Sequence, residues 1–287
     1  MKKILVYCLI IALTVLAMRM SARLERMVYT PVAEVSVSPA QSSLSFEPFT
    51  VQTQDGTQLK AWFIPAAGYE KARAALGTVI HLHGRDQNMG AYLHQVDWLA
   101  HRGFNVVTMD YRGYGQSGGE PSSKGLQDDI VSLLKTVRAN AQLDPDRLVI
   151  FAQDLGAAHV IEVLGQGNRA GVRALVVEGA FASYRSWVDL NTRGLGRLVT
   201  DSPKPEDWID RIGVPLMLIH AKEDKEVPYA QAQRLFERAS EPKIFLSMEG
   251  DTHLGALNVE KNAAFRDKLS AYFTQALNAK IAPPKPD

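Results

Sequence analysis

The chain has 287 residues and a mass of 31.6 kDa, enough for one large domain or two small ones. With 46 % hydrophobic and 22 % charged residues it is neither disordered nor collagen-like. The net charge of +1 hides an asymmetry, since residues 1–30 carry +4 and the rest −3. A mildly acidic body lacks the basic face that nucleic-acid binding requires. The single cysteine, Cys8, excludes an internal disulfide and any cysteine-based zinc or iron–sulfur site.

Two lysines precede an apolar run from Ile4 to Met18. As a helix this run reaches about 22 Å, and Met20 with a snorkelling Arg19 would extend it toward a membrane span. The expectation is an uncleaved anchor at residues 4–20 holding an extracytoplasmic body. The rival is a signal peptide cut after Val15-Leu16-Ala17, followed by secretion. Residues 1–27 therefore stand apart from the domain expected over 28–280.

The body opens with strands. Phe46–Gln54 and Gln58–Ile64 flank Asp55-Gly56 and predict a hairpin. Strands and helices then alternate. Thr78–His83 is a short β-rich run, and Leu93, Val96, Leu99 and Ala100 predict a helix ended by Gly103. Asn105–Met109 is the next strand, and Leu126, Ile130, Leu133, Leu134 and Val137 mark an amphipathic helix. Leu148–Ala152 predicts a strand, Gly156–Leu164 a helix, and Ala174–Glu178 a strand. Residues 181–212 break the rhythm and predict a small lid. Pro215–His220 and Lys243–Met248 are strands separated by a helix from near Tyr229. Phe265, Leu269 and Tyr272 lie on a closing helix, and residues 281–287 form a loose, proline-rich tail. Repeated β-α units imply a mostly parallel central sheet with helices on both faces.

Functional residues of such sheets follow the carboxyl ends of the strands. His83-Gly84-Arg85-Asp86 follows one strand. The glycine-rich stretch Asp110–Gly119 follows another and holds two decoys. Gly113 to Gly118 fits GxGxxG, but Pro121 blocks the helix that a nicotinamide site would open. Gly115 to Gly119 fits GxSxG, but Ser117 lies seven residues beyond its strand, too far for a nucleophile turn. Ala152-Gln153-Asp154-Leu155-Gly156 does have the strand–turn–helix context, with small residues flanking position 154. Taken alone, Asp154 also reads as a helix N-cap. Asp224 and His253 follow the last two strands, and the order 154, 224, 253 is that of nucleophile, acid and histidine.

These segments together resemble the α/β-hydrolase superfamily, in particular serine-aminopeptidase-like and lysophospholipase-like hydrolases, several of which carry one N-terminal membrane anchor. The resemblance covers roughly residues 40–275 and implies an α/β-hydrolase fold. By it, His83-Gly84-Arg85 corresponds to the oxyanion loop, Tyr111–Gly118 to a loop typical of these relatives, and Asp224 and His253 to acid and base. The pattern departs at the centre. Aspartate stands at 154 where serine is expected, Ala152 replaces the first glycine, and Arg85 replaces a small polar residue.

An aspartate attacking an ester would form an anhydride, so ester hydrolysis by that route is very slow. Attack on a saturated carbon forms a stable alkyl ester instead. The resemblance to epoxide hydrolases then implies that His253, oriented by Asp224, activates water, with the backbone amides of Arg85 and Leu155 as oxyanion hole. Tyr184 and Trp187 in the lid are candidate substrate contacts. Haloalkane dehalogenases fit less well, because Leu155 stands where they carry tryptophan. No metal or organic cofactor is implied. The expected partner is a small-molecule or lipid-like substrate. The alternative is a catalytically inactive hydrolase fold serving in binding or scaffolding.

Overall fold

A computed structural model of the chain describes residues 2–199, 203–250, 252–257 and 259–279. The expected tail at 281–287 lies outside them. Helix α1 (Lys2–Arg26) leads into a two-residue strand, β1 (Thr30–Pro31). The hairpin β2 (Glu47–Gln52) and β3 (Gln58–Ile64) follows, then β4 (Thr78–Leu82) and the short β5 (Asp86–Gln87). The remaining elements are β6 (Asn105–Met109), α2 (Ser123–Ala139), β7 (Leu148–Gln153), α3 (Asp154–Gly165) and β8 (Val172–Glu178). They continue with α4 (Tyr184–Thr192), β9 (Leu216–Ala221), α5 (Tyr229–Arg238), β10 (Lys243–Met248) and α6 (Val259–Asn278).

The main sheet runs β10-β9-β8-β7-β4-β6-β3-β2. It is parallel from β10 to β6, and the hairpin adds two antiparallel strands at the β6 edge. Strand β7 shows why the sheet is covered twice. Its residues 148–153 are all buried, as expected of a central parallel strand. Leu148, Ile150 and Ala152 join one core with α2, α3 and α5. Val149 and Phe151 join a second with Leu269 and Phe273 of α6. Alternation along one strand thus serves two cores. Helix α2 starts where Ser122 accepts a hydrogen bond from the Gly125 amide (3.2 Å), and buries Leu126, Ile130, Leu133, Leu134 and Val137.

Two expectations are corrected. The helix predicted over residues 93–100 is two 3-10 stretches, Leu93–Gln95 and Asp97–Arg102, broken at Val96, whose φ is −136°. Its apolar spacing buries Leu93, Leu99 and Ala100 regardless. Among the described residues no helix is long and apolar enough to cross a membrane. The transmembrane anchor expected at residues 4–20 is therefore not supported. The apolar run from Ile4 to Met18 is bounded by Lys3 and Arg19, and its length of about 22 Å falls short of the roughly 30 Å hydrocarbon core. Ile4, Tyr7, Ile11 and Leu16 are each more than half exposed, whereas Ser21 and Leu24 at the other end of α1 are buried on the body.

Candidate active site

Asp154 occupies the turn between β7 and α3 with φ +46°, a left-handed backbone that a non-glycine residue adopts at a cost of about 1–2 kcal/mol. The turn is tight because α3 packs directly under the neighbouring loops. A Cβ on Gly156 would meet the carbonyl oxygens of Leu82 and His83 at 2.7 Å. Asp154 is 1 % exposed.

The loops after β9 and β10 bring the other two expected residues to it. Asp224 Oδ1 accepts the amides of Glu226 (2.8 Å) and Val227 (2.9 Å), which fixes its carboxylate. Its Oδ2 pairs with His253 Nδ1 at 2.7 Å. His253 Nε2 is buried, makes no hydrogen bond, and lies 3.9 Å from Asp154 Oδ1. The ring rests on Gly179, where a Cβ would approach His253 Cε1 to 2.7 Å and φ is +67°. Asp251 of the Gly250–His253 segment lies outside the described residues.

Arg85 holds the position that sequence reasoning undervalued. Its backbone amide donates to Asp154 Oδ2 (3.1 Å), as does its Nε (2.7 Å), and Nη2 donates to Oδ1 (3.0 Å). The two side chains are 6 % and 2 % exposed. This is a buried, bidentate guanidinium–carboxylate pair. The Arg85 amide expected to serve an oxyanion hole is thus engaged by the Asp154 carboxylate. Leu155, the other expected amide donor, is fully buried in the first turn of α3. Asp154 and Arg85 are two positions at odds with the pattern that the resemblance implies, and their opposite charges were the available signal.

The electrostatics follow from these contacts. Burial pushes the Asp154 carboxyl up, but the charges of Arg85 and then His253 outweigh it and hold the group below the usual carboxylate range. Burial pulls His253 down, but its bond to Asp224 and the charge of Asp154 raise it above the ordinary histidine value. Both shifts favour the charged forms, a carboxylate at Asp154 facing an imidazole that holds its proton more tightly than a free one.

Two further connections were not visible in the sequence. A buried polar chain runs across the sheet, from Thr108 Oγ1 through His81 and Gln153 to Glu178. Glu178 Oε1 accepts the Ala256 amide (2.8 Å), which ties this chain to the loop bearing His253. Burial raises the Glu178 carboxyl. The N-terminal strap β1 pairs with β5, and the Arg85 carbonyl accepts from Thr30 N (3.2 Å), Thr30 Oγ1 (3.1 Å) and Tyr114 Oη (2.7 Å). The loop after β4, expected to carry an oxyanion hole, is therefore held by the segment after α1.

The two residues expected in a lid divide. Trp187 lies against Arg85, its ring centroid 4.5 Å from Cζ, with its indole donating to the Glu226 carbonyl (2.9 Å). Tyr184 stacks behind Trp187 at 5.6 Å, and its hydroxyl donates to the Leu24 carbonyl. Ser117 donates to the Asp110 carbonyl (2.8 Å) and accepts the Lys60 amide (2.8 Å), a loop-building role. Among the described residues no group of three or more His, Cys, Asp or Glu side chains could hold a metal ion.

Residues 73–206 match the sequence family described as serine aminopeptidase, S33. The chain is 37 % identical over 235 residues to uncharacterized protein YfhR of Escherichia coli strain K12, covering 82 % of each. The chain belongs to the α/β-hydrolase superfamily. Within it, the α/β hydrolase domain-containing protein WAV2 of Arabidopsis thaliana is 30 % identical over 237 residues, 75 % of each chain. The Pyrococcus furiosus esterase Pf2001 superposes with a TM-score of 0.66 at 20 % identity, over 87 % of this chain and 96 % of that one. At that identity the likeness shows the α/β-hydrolase fold alone.

Proposed function

We propose that this α/β-hydrolase acts on a small molecule through Asp154, by an alkyl-enzyme ester rather than an acyl-enzyme. The supporting observation is the ionised Asp154 carboxylate on the strained turn, with His253 Nε2 3.9 Å from Oδ1.

The cycle balances on an epoxide. An Asp154 oxygen attacks one ring carbon, forming a C–O ester bond while the ring C–O bond breaks. The electron pair moves to the ring oxygen, which takes a proton from solvent. Neutral His253 then removes a proton from water, and the resulting hydroxide adds to the Asp154 carbonyl carbon. The Arg85 and Leu155 amides serve the tetrahedral oxyanion. Collapse expels the substrate oxygen, which takes the proton of the new Asp154 hydroxyl. A diol leaves with Asp154 ionised, and His253 returns its proton to solvent. Asp224 orients the imidazole throughout.

The bidentate Arg85 contact favours a second reading, a silent centre in which the guanidinium neutralises Asp154 permanently. Incubating His253→Gln with small epoxides separates the two, because loss of the base traps the ester. The expected result is a stoichiometric adduct on the Asp154 peptide, absent from the Asp154→Ala,His253→Gln variant. Absence of an adduct with every epoxide refutes the nucleophile reading.

Association of α1 with a lipid surface, without a span, belongs to the same proposal. It is supported by the exposed apolar residues between Ile4 and Met18 and the basic Arg19 and Arg23 beside them.

A further inference from the structure

We propose that Arg85 is a specificity-determining residue that selects substrates bearing a carboxylate or similar anion next to the reacting saturated carbon. The inference rests on Asp154 being the nucleophile, and it follows from what alkylation does to Arg85. Before reaction the buried guanidinium is compensated by the Asp154 carboxylate through Nε and Nη2. Ester formation makes that carboxylate neutral. Arg85 cannot lose its own proton, so its charge needs another anion. Asp224 is engaged by His253 at 2.7 Å, and Asp86 and Glu226 are exposed and make no hydrogen bond to the guanidinium. An anion carried by the substrate supplies what Asp154 gives up.

The geometry provides a place for it. Asp154 occupies the Nε–Nη2 edge of the guanidinium, and Nη1 has no hydrogen bond to a described residue. The Nη1–Nη2 edge can therefore receive a second carboxylate while the first remains bound. Trp187 covers one face of the guanidinium at 4.5 Å and closes that side. Nη2 belongs to both edges and holds Asp154 Oδ1 at 3.0 Å, so a carboxylate on the free edge brings its neighbouring carbon toward Oδ1, the oxygen that faces His253. The covalent step is the ring opening given above, with Arg85 bound to an anion before and after it.

Glycidate and glycidamide test this directly, because they have nearly the same size and differ in charge. Each is incubated with His253→Gln, and the rate of adduct formation on Asp154 is read by peptide mass spectrometry. The expected result is alkylation about 10- to 100-fold faster by glycidate, the range set by one charge-assisted contact. Equal rates, or faster alkylation by glycidamide, overturn the inference and leave the nucleophile reading standing. No adduct with either epoxide overturns the nucleophile reading. Calorimetry on Asp154→Asn, which leaves Arg85 without its carboxylate, then judges Arg85 separately. Binding of glycidate but not glycidamide supports it as an anion receptor, and binding of neither refutes it. Thermal melts confirm that both variants are folded.

Discussion

Replacing Arg85 with methionine keeps an unbranched apolar stem and removes the fork that holds Asp154. The carboxylate is then 2 % exposed and has lost two hydrogen bonds, at 2.7 and 3.0 Å. Breaking such a pair from one side costs about 3–5 kcal/mol, because the remaining charge stays buried without its guanidinium, keeping only the backbone amide of residue 85. For a domain of this size the melting temperature should fall roughly 6–15 °C at pH 7. The loss should depend on pH in a defined direction. In the native chain Asp154 sits below the ordinary carboxylate range, so its contribution is present above about pH 4 and lost as pH falls through the depressed value. In the variant, burial acts without the Arg85 charge and raises the carboxyl. The deficit should therefore shrink as pH falls and the orphaned group takes a proton. The double variant Arg85→Met,Asp154→Leu removes both charges and should recover most of the loss, a coupling of about 3 kcal/mol or more. Urea denaturation of the native chain, Arg85→Met, Asp154→Leu and the double variant between pH 4 and 8 measures the loss, its pH dependence and the coupling. A single variant within about 1 kcal/mol of the native chain, or additive effects, would refute the reasoning.

Asp224→Asn should lower the His253 pKa measured by NMR, since the Asp224 hydrogen bond is the largest influence raising it. Because that value lies above about 6.5 in the fold, its contribution to stability is present below that pH and fades as pH rises through the folded value. Gly179→Ala should shift the His253 ring resonances and slow hydrolysis of the Asp154 ester, since its Cβ meets Cε1; unchanged spectra would count against the close approach. Ser117→Ala should leave Asp154 alkylation unchanged while costing about 1–2 kcal/mol in denaturation, because Lys60 N and Asp110 O lose their partner; loss of alkylation would restore Ser117 as a candidate nucleophile. Ile11→Asp,Leu16→Asp should abolish flotation of the full chain with anionic vesicles, and flotation at the native level would exclude α1 as the lipid contact.

The strands were legible because apolar and β-branched residues run through them, fully buried in Asn105–Met109 and only partly covered in Lys243–Met248. Asn105–Met109 and Lys243–Met248 have the expected bounds, and Leu148–Gln153 exceeds its expected span by one residue. Asp224 and His253 were legible because fold topology places residues after neighbouring strands side by side. Residues 93–102 were overread: apolar spacing records burial, which 3-10 turns satisfy as well as an α-helix. Arg85 was read for its backbone amide only, since its partner lies 69 residues away and no local pattern joins them. The strap at Thr30 and the chain through Gln153 and Glu178 rest on single polar contacts between distant segments, which leave no periodic trace.

The most direct test of Asp154 as the nucleophile is a single turnover of glycidate by the native enzyme in 18O-labelled water, enzyme in excess. Covalent attack delivers an oxygen of Asp154 to the first product and leaves the solvent label on the aspartate. The expected result is an unlabelled diol acid and one 18O in the Asp154 peptide. Labelled product with an unlabelled Asp154 would mean that water attacks directly, and the alkyl-enzyme route would be wrong.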